Sequence, residues 1–134
     1  MRVFIDSNIV ISAIVYDRNE LDVIDDLKRK GHQLVITDHV HEEIFRTMLE
    51  KFPEYLSVID EFILISRMET VPAKNYIDSI DQYDMVRDKH DRHVLAAAVA
   101  AKCELIITGD KDLLVLKKCH NIHILTSKGA MKYA

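Results

Sequence analysis

The segment "DRHVLAAAVAAKCELIITGD", residues 91–110, decides the fold. Its first half, Asp91 to Lys102, is rich in Ala and helical in composition. Glu104-Leu105-Ile106-Ile107-Thr108 then forms an apolar, β-branched run, closed by Gly109 and the acid Asp110. A helix feeding a strand that is apolar along its length is the building unit of a parallel sheet covered on both faces.

Working outward, the same alternation fills the chain. Arg2-Val3-Phe4-Ile5 reads as a buried strand that ends on Asp6. Asn8 is placed to cap a helix through Tyr16, apolar nearly all round and so expected to be deeply packed. A second helix is expected from Asn19 to Lys30, with Leu21, Ile24 and Leu27 at helical spacing and Gly31 as its stop. "QLVIT" is the next strand, after which Thr37 or Asp38 caps a helix to about Lys51, with Val40, Ile44 and Met48 on one face. Pro53 ends it, and "EYLSVIDEFILIS" reads as a further helix that runs into a short strand. Glu69 to Lys89, interrupted by Pro72 and rich in acids, reads as loop plus a short helix. "DLLVLKK" is a short helix, "IHIL" a last strand, and the tail a final helical turn. The expected fold is α/β: a three-layer α/β/α sandwich around a mainly parallel central sheet of four to five strands, one domain over residues 1–134.

Composition narrows the function. Of 134 residues, 49% are apolar and 30% charged, as in a soluble globular protein. Acids outnumber Lys and Arg by 22 to 18, so bulk positive charge cannot hold a nucleic acid; local basic groups or bound metal must offset the acids. Cys103 and Cys119 lack metal-type spacing and read as reduced thiols in a cytoplasmic protein. Asp6 interrupts the opening apolar run, so no secretory leader is expected. The most apolar stretch, Val94 to Ala101, is too short to span a bilayer.

Topology then places the acids. In a parallel sheet, residues just after a strand lie at the carboxyl edge, where open α/β sheets carry their sites. Asp6 and Asp110 follow strands directly. Helices that lead back into the sheet begin at that same edge, which brings Asp91 there. Glu43 sits about five residues into its helix, roughly 7–8 Å along the axis, a distance its side chain partly recovers. Glu43 rather than Glu42 borders the Val40–Ile44–Met48 stripe. Four carboxylates in one cleft raise one another's pKa unless a cation compensates them. All-oxygen ligation with room for water suits Mg2+ or Mn2+, which activate water and stabilise phosphoryl charge. Each acid alone is more often a turn or cap residue; their convergence by independent routes favours a metal site for phosphodiester hydrolysis.

"VFIDSNIVISAI" resembles the opening of PIN-domain proteins, a strand ending in Asp followed by a small hydroxyl residue and Asn. "HVHEEIFRTML" resembles that family's Glu-bearing helix, and "RDKHDRHVLAAAVAAKCELIITGDKDLL" its Asp, Ala-rich helix, strand and Thr-Gly-Asp. Residues 52–87 carry no matching motif. The resemblance implies a magnesium- or manganese-dependent ribonuclease of the VapC-like kind, often the toxin of a toxin–antitoxin pair. RNA is then its substrate and a small antitoxin its possible partner; the resemblance also raises the expectation of a homodimer. Carried over, Asp6, Glu43, Asp91 and Asp110 match the acidic quartet and Asp112 a further acid. Asp6 and Asp91 would hold the principal metal, with Asp110 direct or through water. Glu43 and Asp112 would complete a second site or orient the attacking water. Ser7 braces Asp6, Asn8 reads as a helix cap, and Thr108 belongs to the Thr-Gly-Asp turn. Asp88 is a helix cap or a ligand of a second metal. Arg46, Lys89, Arg92 and Lys111 are candidate phosphate contacts, and the implied products carry a 5′-phosphate and a 3′-hydroxyl.

Three rival readings stand beside this one. His90, Asp91 and His93 could form part of a zinc or His-Asp phosphohydrolase site, but no clear third histidine joins them, and His39 and His41 sit on different helix faces. A response-regulator-like phosphoacceptor would need an acidic pair after the first strand, where only Asp6 stands. An inactive PIN module that binds a partner has no need of four acids.

Overall fold

The computed structural model describes residues 1–16 and 19–134. Its centre is a six-stranded sheet. In chain order the strands are β1 (Arg2–Ile5), β2 (Gln33–Thr37), β3 (Glu69–Val71), β4 (Leu105–Ile107), β5 (Lys118–Cys119) and β6 (Ile122–Leu125). Their spatial order is β3-β2-β1-β4-β6-β5, parallel throughout except for the β5–β6 pair. Helices α1 (Ser7–Tyr16), α2 (Asn19–Arg29), α3 (Asp38–Lys51), α4 (Ile59–Ile65) and α5 (Lys89–Ala100) accompany the sheet, with single turns α6 (Lys111–Leu114) and α7 (Ser127–Ala130) near the end.

The apolar runs are strands because both sheet faces are covered. Val3, Phe4, Ile5, Val35, Ile36, Ile106 and Ile107 are all fully buried. Register is tight at the centre, where Ile5 pairs with Ile107 and the Asp6 amide donates to the Ile107 carbonyl at 3.0 Å. The chain leaves β1 toward β2 on one side, and leaves β4 toward β6 on the other. The reversal lies between β1 and β4, so the crevice of this doubly wound sheet opens where Asp6 and the Thr108-Gly109-Asp110 turn emerge.

Local chemistry sets the helix ends. Gly31, at φ +86°, supplies the left-handed residue that stops α2. Thr37 caps α3, its hydroxyl accepting from the Val40 amide at 3.0 Å. Replacing it (Thr37→Ala) leaves that amide unmatched in a buried position and is expected to cost about 1 kcal/mol, read from urea denaturation. Asp88 caps α5, accepting from the His90 amide.

Several expectations change. The sheet has six strands rather than four to five, because two short edge strands join it. Glu69–Val71, expected to be loop, is one of them; it pairs with Val35–Thr37, and Glu69 takes a two-pronged salt bridge from Arg2 at 2.9 and 3.1 Å. "EYLSVIDEFILIS" splits into a 3₁₀ stretch, Pro53–Val58, and α4, with the strand arriving only after it. Residues Ile77–Tyr83 form another 3₁₀ stretch, whose Ile80 and Tyr83 are buried, as is Val86 beyond them. The first helix begins at Ser7, so Asn8 lies inside it and does not cap it. That helix is not packed all round either, since Ile14 joins Leu21, Val58, Phe62 and Ile65 along an open apolar groove. Both cysteines are free and buried, and among the described residues no helix is long and apolar enough to cross a membrane.

Candidate functional site

The site is built on the carboxyl ends of β1 and β4. Asp6 follows β1 directly and is fully buried. Its two oxygens are held from three sides. The Ser7 amide donates to Oδ1 at 2.8 Å, the Thr108 hydroxyl to Oδ2 at 2.7 Å, and His90 Nε2 stands 3.1 Å from Oδ1. Thr108 also accepts from the Asp110 amide at 3.0 Å, which fixes the turn after β4. Asn8 has a different duty from capping: its Oδ1 accepts from the Gly109 amide at 2.9 Å, tying the first helix to that turn. A Cβ at Gly109 would lie 3.4 Å from Asn8 Oδ1, in van der Waals contact with it.

Asp91 occupies the third position of α5, two residues inside the helix rather than at its start, because Asp88 takes the cap. It is fully buried, and neither of its carboxylate oxygens has a hydrogen-bond partner. Oxygens of Asp88, Asp91 and Asp110 lie within 4.8 Å of one another. Burial pushes the Asp91 carboxyl up to about 8, helped by Asp110 beside it and by the charges of Asp88 and Asp6. A buried carboxylate with both oxygens unpartnered, next to two further carboxylates, is a donor set that fits a hard divalent cation.

Glu43 reaches the same edge from α3. The Ser7 hydroxyl donates to Glu43 Oε1, and His90 Nδ1 lies 2.9 Å from Oε2. Burial works against its charge, but the hydrogen bonds from His90 and Ser7 outweigh that and hold the carboxyl below the usual range. Glu42 points outward and pairs with Arg46 at 3.4 Å.

His90 ties this edge together. It bridges Asp6 and Glu43, and their hydrogen bonds push its pKa up to about 10 against the opposing cost of burial. His39 Nε2 lies 3.0 Å from His90 Nδ1, and the His39 ring stacks on His93 with centroids 4.1 Å apart. His93 is pushed down to about 4 by burial, with His39 and His90 adding to the effect, so it is neutral. The sequence reading left His90 and His39 outside the site. The signal was available in the topology: residue 90 opens a helix at the carboxyl edge, and residue 39 precedes Glu43 by one helical turn.

The remaining candidates divide. Asp110 lies in the acid grouping and caps α6, accepting from the Asp112 amide at 2.9 Å. Asp112 does not join that grouping; its carboxylate faces Arg87 at 3.4 Å. Lys89 and Lys111 are exposed. Arg92 is half-buried, and its Nε donates to the Val86 carbonyl at 2.6 Å, which stitches the preceding loop to α5. Arg46 is engaged by Glu42.

A doubly wound sheet with carboxylates gathered at its reversal point defines an α/β protein with an acidic cluster at the carboxyl edge. A PIN-domain family model matches residues 2–112, and the chain belongs to the PIN domain family. Among solved structures it is similar to VapBC2 from Rickettsia felis, bound to a DNA fragment from its promoter. That match has 17% identity and a TM-score of 0.66, covering 92% of this chain and 97% of the other. VapBC-1 from nontypeable Haemophilus influenzae matches at 12% identity and TM-score 0.69, over 96% and 99% of the two chains. VapC20 from Mycobacterium tuberculosis, a Sarcin-Ricin loop cleaving toxin, matches at 11% identity and TM-score 0.66, over 90% and 98%. At these identities the likeness establishes the fold. No curated protein matches the chain significantly.

Proposed function

We propose that the chain is a divalent-metal-dependent endoribonuclease, the toxin of a toxin–antitoxin pair, acting in the cytoplasm. The observation that carries this reading is Asp91, whose two oxygens are buried without a partner in a grouping with Asp88 and Asp110. Asp91 and Asp110 would hold Mg2+ or Mn2+, with Asp6 adding charge beside them. Bound there, such an ion supplies a more acidic water and neutralises charge on the phosphoryl group. The protein's own groups do the rest. Glu43, kept ionised by its hydrogen bonds to Ser7 and His90, would orient an attacking water from this edge. Thr108 and the Ser7 amide hold Asp6 in one orientation. Lys89 and Lys111, exposed next to Asp91 and Asp110 in the chain, are the foremost phosphate contacts, with Arg46, exposed and only loosely paired with Glu42, and Arg92 as further candidates.

Support for a protein partner comes from the similar VapBC structures and from the open groove between α1, α2 and α4. Its lining exposes Ile65 at 58% and Val58 at 37%. Phe45 and Leu49, one helical turn apart and exposed on α3, suit the second copy of a homodimer.

The test is cleavage of a panel of structured and single-stranded RNAs by the purified chain. Cleavage with Mg2+ or Mn2+, lost with chelator and lost in Asp6→Asn, is the expected result. Cleavage that persists in chelator, or in Asp6→Asn, contradicts the reading.

A further inference from the structure

Next to the acid pocket lies a donor set of different chemistry. His39 Nε2 and His90 Nδ1 are 3.0 Å apart, and Glu43 Oε2 is 2.9 Å from His90 Nδ1. All three donors lie within 4.8 Å of one another. Two ligands bound at about 2.0–2.1 Å to a tetrahedral ion are about 3.3 Å apart. Two edges of the triangle are thus within a few tenths of an ångström of what a zinc-sized ion requires.

The groups around these donors orient them as metal ligands are oriented. A metal-bound imidazole characteristically donates its other ring N–H to a carboxylate. His90 does this, with Nε2 at 3.1 Å from Asp6 Oδ1 while Nδ1 faces His39 and Glu43. Glu43 is arranged in the same way, Ser7 occupying Oε1 and leaving Oε2 toward the histidines. The plane of His39 is held by its stack on His93, the two rings 15° from parallel. The backbone supports are helical: His39 and Glu43 are one turn apart on α3, and His90 lies in the first turn of α5.

We propose that His39, Glu43 and His90 form a binding site for a borderline divalent transition metal, zinc foremost, separate from the all-oxygen acid pocket. Two imidazole nitrogens and one carboxylate oxygen select Zn2+, Co2+ or Ni2+ over Mg2+, which prefers oxygen and keeps its waters. In the metal-free protein the hydrogen bonds of His90 span the same gap. His90 is hydrogen-bonded to Asp6, whose charge acts on Asp91, so an ion that replaces the His90 Nδ1 proton adds one net positive charge beside the acid grouping.

The probe is Co2+, added to the full chain in an excess of Mg2+. One equivalent is expected to give the visible absorption of a low-coordinate nitrogen–oxygen site, bleached by equimolar Zn2+ and unmoved by Mg2+. His39→Ala and His90→Gln should each abolish the band, while Asp110→Asn retains it. X-ray absorption at the zinc edge of the unmutated chain provides a reading that needs no variant: scattering from two imidazoles is expected. A weak octahedral cobalt spectrum removed by Mg2+, a band unchanged in His39→Ala, or a zinc edge without imidazole scattering would overturn the proposal. RNA cleavage enters none of these readouts, so their failure leaves the nuclease reading untouched.

Discussion

Asp91→Asn is expected to abolish metal-dependent cleavage and, in the metal-free protein, to raise stability at pH 8 by a few kcal/mol. The two effects share one cause. Asp91 is fully buried, has no hydrogen-bond partner on either oxygen, and faces Asp110, Asp88 and Asp6. Its carboxyl is raised from 3.8 to about 8 in the folded chain. Every tenfold gain in proton affinity on folding corresponds to about 1.4 kcal/mol. Between those two pKa values the folded state holds a proton that the unfolded state has released, so stability falls as pH rises. Metal-free wild-type protein should therefore weaken from about pH 4 to about pH 8. In Asp91→Asn this contribution is absent, because the amide cannot ionise. Added Mn2+ should stabilise the wild type and leave the variant nearly unmoved. Urea denaturation across this pH range, with and without Mn2+, reads all of it; a variant no more stable than wild type at pH 8 contradicts the strain ascribed to Asp91.

His90→Gln is expected to act in the opposite direction, costing about 3 kcal/mol near pH 6, because breaking a buried ion pair strands the remaining charges. The His90 side chain is 16% exposed and that of Asp6 1%, so water does little to screen the pair. His90 titrates at about 10 in the folded chain against 6.5 unfolded. The stabilisation it brings is complete below about pH 6.5 and disappears as pH rises through about 10. The penalty of His90→Gln should shrink over the same interval, measurable by urea denaturation at a series of pH values. A penalty independent of pH from 6 to 10 would mean that His90 contributes packing rather than charge.

How much of this was legible in the sequence depended on burial. β1, β2 and β4 were readable because a strand covered on both faces must be apolar at nearly every position, as Val3-Phe4-Ile5 and Leu105-Ile106-Ile107 are, whereas β6 was readable from the buried Ile122 and Ile124 flanking the exposed His123. β3 was not, because two of its three residues are exposed at the sheet edge and Glu69 serves Arg2 rather than the core. The acids of residues 69–89 masked a second signal. Ile77, Ile80, Tyr83 and Val86 recur every third residue, the period of a 3₁₀ helix rather than an α-helix.

At the site, topology alone brings Asp6, Asp91 and Asp110 to one edge, since each follows a strand or lies near the start of a helix there. What topology cannot reveal is side-chain direction. Asp112 lies two residues from Asp110 yet faces Arg87, and Asn8 reaches across to Gly109 instead of capping its own helix. His90 was considered with His93 rather than with Asp6 and Glu43, because the direction of its ring toward those two carboxylates cannot be read from the sequence.

The central claim is that the acid pocket takes a divalent metal, and anomalous diffraction from a Mn2+-soaked crystal tests it most directly. The expected result is an anomalous peak bound by Asp91 and Asp110. A map with no peak within bonding distance of either acid, or with Mn2+ at the His39–Glu43–His90 donors alone, would contradict it.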